Sequence, residues 1–196
     1  AASGMAGAVQ KAQEILAATP GRYFMPNQFA NPANPLIHER TTGPEIWAQT
    51  DGQVAACVAG VGTGGTIVGS GRYFKNIGAM VQMVAVEPAE SPLLSQRKSG
   101  ATLTPVAHGI QGIGANFIPQ VVDFSVIDRI EAVTTKDAID IARRLASEEG
   151  LLSGISSGAA VVAALRLAAE AAYAGKLIVA ILPDAGERYL STSLFA

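Results

Sequence analysis

The chain has 196 residues, of which 49% are hydrophobic and 15% charged, and its formal net charge is -2. This is the composition of a globular domain with a sizeable core, and it excludes a disordered chain. Because no long basic or apolar run occurs, we expect neither nucleic acid nor a membrane as a partner. The single cysteine, Cys57, excludes an internal disulfide and a cysteine-based metal site, and we expect no bound metal.

The first half of the chain alternates helical and extended patterns. The predicted elements are, in chain order, a helix over residues 5–18, a short strand over 22–25, a loop over 27–35 rich in Asn and Pro, a helix that begins at Thr42, a strand over 54–59, a helix over 66–74 and a strand over 81–86. The strands over 54–59 and 81–86 are continuous apolar runs, which indicates burial on both faces.

The second half begins with an irregular stretch over residues 91–119, which contains several glycines. Long stretches of this kind are uncommon in compact domains and are often functional. The remaining predicted elements are a strand over 124–134, a helix over 135–149 that ends at Gly150, a helix over 156–172 and a last buried strand over 177–182. Together the elements predict an α/β fold with a mostly parallel sheet flanked by helices.

Glycines cluster where the strand over 54–59 gives way to the next helix, in the stretch VAGVGTGGT. Glycine lets backbone N–H groups converge on an anion, and the helix that follows adds its positive end. One ligand that fits is a dinucleotide, because the pattern G-x-G-x-x-G is present and Glu87 follows about 20 residues later.

A single phosphate group fits the same turn, and Thr63 and Thr66 would then add hydroxyl donors to the N–H groups. A tight turn without a ligand is the third possibility. The entropic cost of several glycines in one turn argues against it. The turn alone does not decide between the two ligands.

Six segments of the chain resemble cysteine synthase (O-acetylserine sulfhydrylase), a family of pyridoxal-phosphate enzymes of fold type II, the tryptophan synthase β-like fold. These segments are NQFANPANPLIHERTTGPEIW, VAGVGTGGTIVG, VEPAESPLL, HGIQGIGANFIP, EEGLLSGISSGAA and LPDAGERYLST. The resemblance extends over nearly the whole chain. It implies pyridoxal 5'-phosphate as the cofactor and cysteine biosynthesis from O-acetylserine and sulfide by β-replacement. It also implies a cytoplasmic enzyme, or a plastid one if the source is a plant.

The resemblance further implies where the cofactor binds. The family's G-T-G-G-T loop cradles the cofactor phosphate, and it corresponds here to Gly62, Thr63, Gly64, Gly65 and Thr66. The first serine of the family's G-I-S-S-G motif hydrogen-bonds the pyridine nitrogen, and it corresponds to Ser156. Asp184 follows a predicted strand and is a lower-ranked candidate for the same nitrogen.

Two residues are implied to bind substrate, and two histidines are not. Gln28 matches a glutamine near the substrate carboxylate, and Gly112 lies in a segment that resembles a loop at the entrance of the active site. For His38 and His108 we expect surface or structural roles, since neither has a partner that the sequence reveals.

Two motifs of the family do not occur in the chain, namely the one with the lysine that forms a Schiff base with the cofactor and the T-S-G-N-T loop for the substrate carboxylate. None of the lysines has matching surroundings, so we expect no catalytic residue here. The resemblance implies the C-terminal part of the enzyme, lacking the N-terminal part. Residues 1–28 would be a remnant of the smaller, mobile domain, and 29–196 most of the larger domain, which binds the cofactor phosphate. We expect the isolated chain to be inactive.

Two other functional classes stay open. The chain could be a truncated, non-catalytic relative that binds a partner, such as the tail of serine acetyltransferase that docks in the family's active-site cleft. A dinucleotide-binding domain is the remote alternative. Since the family is usually dimeric, we also expect a homodimer.

Overall fold

A four-stranded sheet organises residues 3–195, the part of the chain that the computed structural model describes. The strands are β1 (Val54–Gly60), β2 (Gln82–Pro88), β3 (Arg129–Val133) and β4 (Leu177–Ala180). They lie in the order β3-β2-β1-β4, and every neighbouring pair is parallel. The predicted α/β fold with a parallel sheet is therefore confirmed. Ala1, Ala2 and Ala196, which belong to the predicted domains 1–28 and 29–196, lie outside the described residues.

Seven α-helices accompany the sheet within the described residues. They are α1 (Gly4–Ala18), α2 (Ala33–Arg40), α3 (Thr42–Gln49), α4 (Gly65–Asn76), α5 (Leu93–Ser99), α6 (Thr135–Glu149) and α7 (Ile155–Ala168). α3 and α4 pack into one hydrophobic core and α6 and α7 into another. None of the described helices is both long and apolar enough to cross a bilayer.

The two cores lie on opposite faces of β1 and β2. Because successive side chains of a strand point to opposite faces, Ala56 and Val58 pack with α7, whereas Cys57 and Ala59 pack with α4. Burial also raises the pKa of the Cys57 thiol to about 12. Cys57 therefore behaves as a small, buried hydrophobic residue.

Two helices begin inside segments predicted to be irregular. α2 starts within the predicted loop because Asn31 Oδ1 accepts a hydrogen bond from the Ala33 N–H at 2.9 Å, and because Pro32 already has a helical φ of -64°. α5 lies within residues 91–119. Its first N–H groups are bound by the carboxylate of Glu87, a partner from β2 that a local sequence pattern does not reveal.

Three predicted strands were wrong in extent or existence. Residues 22–25 form no strand, and Phe24 is 86% exposed there. The strand predicted over 124–134 is β3 alone, because residues 124–126 form a short 3-10 helix. β4 ends at Ala180 and lies at the edge of the described sheet, so it is half-buried instead of fully buried. The last predicted helix also ends early, at Ala168, followed by a 3-10 turn.

The last residues of the described chain are tied to α6 by one arginine. Arg143 donates hydrogen bonds to the carbonyl oxygens of Leu194 and Ser193, both at 2.7 Å, and the Leu194 side chain is 1% exposed. Leu194 packs in the same core as Tyr189 and α7. Arg143 therefore holds the final segment against the core that supports α7.

We expect Arg143→Ala to lower the free energy of unfolding by about 1–2 kcal/mol and the Tm by about 2–8 °C, because two charge-assisted hydrogen bonds are lost. Arg144→Ala is the matched control. Arg144 forms an exposed ion pair with Glu148 on the same helix, so its removal should change stability by about 0.5 kcal/mol or less. Thermal unfolding of both variants by circular dichroism measures the difference, and equal Tm values would contradict the role of Arg143.

Candidate functional site

A cavity of about 900 Å³ opens at the carboxyl edge of the sheet. β1 reaches it with Ala59 and Gly60, and the segment after β4 reaches it with Ile181 and Pro183. Open α/β sheets bind ligands at this edge, and small-molecule sites commonly have volumes of roughly 300–1,000 Å³. The position and the size of the cavity therefore fit a small-molecule site.

All of the cofactor and substrate residues predicted from the sequence line this one cavity. They are Gln28, Gly62, Thr63, Gly64, Gly65, Thr66, Gly112 and Ser156. His108 lines the cavity as well, whereas His38 and Asp184 do not. The fold thus brings together residues from the segment before α2, the β1–α4 turn, the loop after α5 and the start of α7.

The β1–α4 turn forms the start of α4. Gly64 precedes the helix with φ +90°, a left-handed conformation that glycine adopts without steric cost. The Val68 N–H bonds back to the Gly64 carbonyl oxygen at 3.0 Å, while the N–H groups of the first turn lack intrahelical partners, as at every helix start. The Gly65 N–H already donates to Thr63 Oγ1 at 3.2 Å, but the other N–H groups and the positive end of α4 suit an anion.

Close packing within the protein accounts for two further glycines of the turn. A Cβ on Gly62 would lie 2.5 Å from the Gly112 carbonyl oxygen, and a Cβ on Gly65 would lie 1.9 Å from Asn34 Oδ1. Both distances are far below van der Waals contact. Close packing thus explains why the turn contains these glycines despite their entropic cost. The number of glycines alone therefore does not indicate a ligand.

Two side chains of α2 contact the hydroxyl groups of the turn. Asn34 donates from Nδ2 to Thr63 Oγ1 at 2.9 Å. His38 Nε2 lies 3.3 Å from Thr66 Oγ1, and its Nδ1 lies 2.8 Å from Thr42 Oγ1. Burial lowers the pKa of His38, so the neutral imidazole is favoured. The structural role expected for His38 is seen here, next to the site, but no pattern in the sequence indicated the contacts of His38 or of Asn34.

The loop after α5 joins the cavity to α1. His108 Nε2 lies 2.9 Å from the Gly114 carbonyl oxygen, and the Gly114 N–H donates to the Val61 carbonyl at 3.0 Å. Further along, Asn116 Oδ1 accepts from the Ala6 N–H at 2.9 Å, and its Nδ2 donates to the Ser3 carbonyl. Asn116 therefore caps the start of α1 and fixes that start beside the cavity, a role that the sequence did not reveal.

Ser156 lies in the first turn of α7 and is 2% exposed. A Cβ on Gly112 would lie 3.3 Å from the Ser156 Oγ, so the Ser156 hydroxyl faces the backbone of the loop after α5. Within residues 3–195 this hydroxyl has no hydrogen-bond partner, although it lines the cavity. It is therefore available to a ligand.

Asp184 is turned away from the cavity. Its Oδ2 accepts a hydrogen bond from the Tyr189 hydroxyl, and its Oδ1 would lie 2.2 Å from a Cβ on Gly154. Burial, together with the hydrogen bond to Asp184, raises the pKa of Tyr189 to about 12. Asp184 therefore clamps the residues before α7 and does not compete with Ser156 for a ligand.

The carboxylate of Glu87, the acidic residue of the dinucleotide alternative, is already hydrogen-bonded within the protein. It accepts from the N–H groups of Leu94 and Ser95 at 2.7 and 3.1 Å, and the residue is 2% exposed. A dinucleotide site needs such a carboxylate free for the ribose hydroxyls. The geometry therefore disfavours a dinucleotide. Residues 3–195 contain no cluster of His, Cys, Asp or Glu that could hold a metal ion.

We expect Gly65→Ala to lower the free energy of unfolding by about 1–3 kcal/mol, because the new Cβ displaces Asn34. Gly71→Ala in the same helix is the control, since its Cβ would lie 3.2 Å from Met83 and Val126, a tight contact but a much milder one than 1.9 Å. Urea unfolding monitored by fluorescence compares the two midpoints. An equal or larger loss in Gly71→Ala would argue against the close Asn34 contact.

The raised pKa of Tyr189 predicts a specific loss of stability at high pH. The folded state keeps the phenol proton after the unfolded state has lost it, so the free energy of unfolding falls as pH rises from about 10 to about 12. Tyr189→Phe has no such proton. We expect a smaller fall between about pH 10 and about pH 12 in this variant than in the unchanged protein, as measured by urea unfolding. Identical falls would rule out the perturbed phenol.

Comparison with known proteins agrees with the site. The family model described as pyridoxal-phosphate dependent enzyme matches residues 2–184. The chain is 59% identical to cysteine synthase from Haemophilus influenzae, over 99% of the chain and 62% of that protein. It is 55% identical to cysteine synthase A from Escherichia coli K12, over 100% of the chain and 61% of that protein. The crystal structure of cysteine synthase from Entamoeba histolytica has a TM-score of 0.91 at 41% identity, over 98% of this chain and 55% of that chain.

The chain thus spans about three-fifths of the length of these curated relatives. These covered fractions do not support the prediction that the chain is the C-terminal part of the enzyme. The resemblance to cysteine synthases and the predicted fold class, the parallel α/β fold of fold type II, are confirmed. So is pyridoxal phosphate as the cofactor of the family. The chain belongs to the family of pyridoxal-phosphate dependent enzymes.

Proposed function

We propose that the complete protein makes cysteine from O-acetylserine and sulfide by β-replacement, with pyridoxal phosphate as cofactor. The observation that carries this proposal is that the start of α4 and the free hydroxyl of Ser156 line the same cavity. The identity to cysteine synthases over the full chain supports the choice of reaction.

The cavity residues fit the two polar ends of the cofactor. We assign the phosphate to the turn over residues 62–66, which offers backbone N–H groups and the hydroxyls of Thr63 and Thr66. No acidic side chain of residues 3–195 lines the cavity, so nothing there repels an anion. We assign the pyridine nitrogen to Ser156, whose hydroxyl donates to an unprotonated nitrogen. A carboxylate would instead favour the protonated ring.

When bound, pyridoxal phosphate supplies an electron sink for the loss of a proton and a leaving group from neighbouring carbons of the substrate. The residues of this chain bind and orient the groups around it. The turn over 62–66 would hold the phosphate end, and the Ser156 hydroxyl would donate to the ring nitrogen. Gln28 and Gly112 line the same cavity, and we assign them to substrate binding.

We propose that the Schiff-base lysine comes from a part of the protein outside this 196-residue sequence. No lysine of residues 3–195 lines the cavity. It follows from the proposal that residues 1–28 belong to a smaller, mobile domain and 29–196 to the cofactor-binding domain, and that the isolated chain is inactive. Cytoplasmic localisation, or a plastid in a plant, stays a prediction.

The direct test is cysteine formation from O-acetylserine and sulfide by the complete protein loaded with pyridoxal phosphate. We expect turnover by the complete protein and none by the 196-residue chain alone. Titration with NAD is the control for the dinucleotide alternative, and we expect no binding. A complete protein that binds the cofactor but forms no cysteine would overturn the proposed reaction.

We expect Ser156→Ala to lower the rate of cysteine formation roughly threefold to tenfold, the size of one lost hydrogen bond of about 0.5–1.5 kcal/mol. Ser157→Ala is the matched control, because Ser157 is the next residue of the same helix, is fully buried and has an Oγ without a partner among the described residues. Steady-state assays and the absorbance of the bound cofactor compare the variants. A loss in Ser157→Ala as large as in Ser156→Ala would contradict the assigned role.

A second candidate function is binding of the serine acetyltransferase tail in the same cavity, with or without catalysis. The exposed side chains of Met5 and Val106 favour it, because both line the cavity and offer apolar contacts to a peptide. A synthetic tail peptide that competes with O-acetylserine would support this candidate. The homodimer is proposed from the resemblance alone, and sedimentation of the complete protein tests it.

A further inference from the structure

We propose that Asn34 and His38 of α2 are positioning residues that direct the hydroxyl hydrogens of Thr63 and Thr66 toward the cofactor phosphate. The inference rests on the proposed function, since it assumes that the β1–α4 turn binds this phosphate. Neither residue lines the cavity. Both act through the threonine that they contact.

The hydroxyl of Thr63 has no acceptor capacity left. Its Oγ1 accepts from Asn34 Nδ2 at 2.9 Å and from the Gly65 N–H at 3.2 Å, and an oxygen of this kind accepts two hydrogen bonds. The hydroxyl hydrogen must therefore be donated. Among residues 3–195 no acceptor receives it, so it is free for a ligand in the cavity that Thr63 lines.

The orientation of the Asn34 amide follows from its neighbours. Nδ2 lies 2.8 Å from the Gln28 carbonyl oxygen as well as 2.9 Å from Thr63 Oγ1. A carbonyl oxygen cannot donate, so this end of the amide must be the NH₂ group. Both of its hydrogens are then used, and the side chain cannot rotate without losing a bond.

His38 can direct Thr66 in the same way. If Nε2 carries the ring hydrogen, it donates to Thr66 Oγ1 across 3.3 Å, and Nδ1 accepts from the Thr42 hydroxyl across 2.8 Å. The Thr66 hydrogen is then free for a phosphate oxygen. The other tautomer would take that hydrogen for itself, so a bound phosphate favours the tautomer with the hydrogen on Nε2.

α2 is held close enough to α4 to keep these contacts. A Cβ on Gly69 of α4 would lie 2.1 Å from the Pro35 carbonyl oxygen and 2.6 Å from the His38 Cβ. The two helices therefore touch backbone to backbone, and the ring of His38 is fixed beside Thr66. Because no Lys or Arg of residues 3–195 lines the cavity, the phosphate depends on neutral donors, and the direction of each hydroxyl hydrogen matters.

The test compares the dissociation constants of the complete protein for pyridoxal phosphate and for pyridoxal, which lacks the phosphate. We expect His38→Met to weaken pyridoxal phosphate binding roughly tenfold and pyridoxal binding less than about twofold. His38→Gln keeps an N–H donor near the position of Nε2 and should restore most of the affinity. Arg40→Met, on the exposed side of α2, is the control and should change neither constant.

Double-variant cycles show whether each residue acts through its threonine. His38→Met should add little to the loss caused by Thr66→Val, and Asn34→Leu, which removes the amide without adding a charge, should add little to the loss caused by Thr63→Val. If His38→Met does not fold, the cycle of Asn34 with Thr63 tests the proposal instead. Additive losses in both cycles, an equal loss of pyridoxal binding, or a His38→Gln variant as weak as His38→Met would overturn the proposal. An unchanged protein that binds neither compound would instead overturn the proposed function itself.

Discussion

The β1–α4 turn, held in one conformation by packing from three sides, is the constraint on which the rest of the site depends. Asn34 of α2 lies against Gly65, the entrance loop lies against Gly62 through the Gly112 carbonyl, and Val122 lies 2.7 Å from where a Cβ on Gly64 would be. Glycine at these positions lets all three neighbours approach. The turn, whose residues 62–66 line the cavity, is thereby preorganised, so ligand binding need not order it.

The position of Ser156, on another side of the cavity, is set by a different group of contacts. Ser156 takes its place from the start of α7, and the residues before α7 are clamped by Asp184 and Tyr189. Arg143 ties the segment after Tyr189 to α6. Two separate sets of contacts therefore set the distance between the β1–α4 turn and Ser156 on the two sides of the cavity.

The parallel sheet was predicted well because its strands leave local signals, whereas the site residues, which line one cavity, were proposed from the resemblance to a family. Buried strands β1 and β2 are continuous apolar runs, and the site residues lie in motifs where a strand or a loop gives way to a helix. What the sequence missed depends on partners distant in the chain. α5 is stabilised by Glu87 from β2, and Asn34 and His38 matter only because α2 packs on α4. Residues 22–25 had a strand-like composition but no neighbouring strand among the described residues.

The most direct measurement is a crystal structure of the complete protein with pyridoxal phosphate. The account predicts that the phosphate oxygens lie about 2.7–3.2 Å from backbone N–H groups of residues 62–66 and from the hydroxyls of Thr63 and Thr66. Ser156 Oγ should lie within the same range of the pyridine nitrogen. A phosphate bound elsewhere in the cavity, with the turn making no contact to it, would contradict the account.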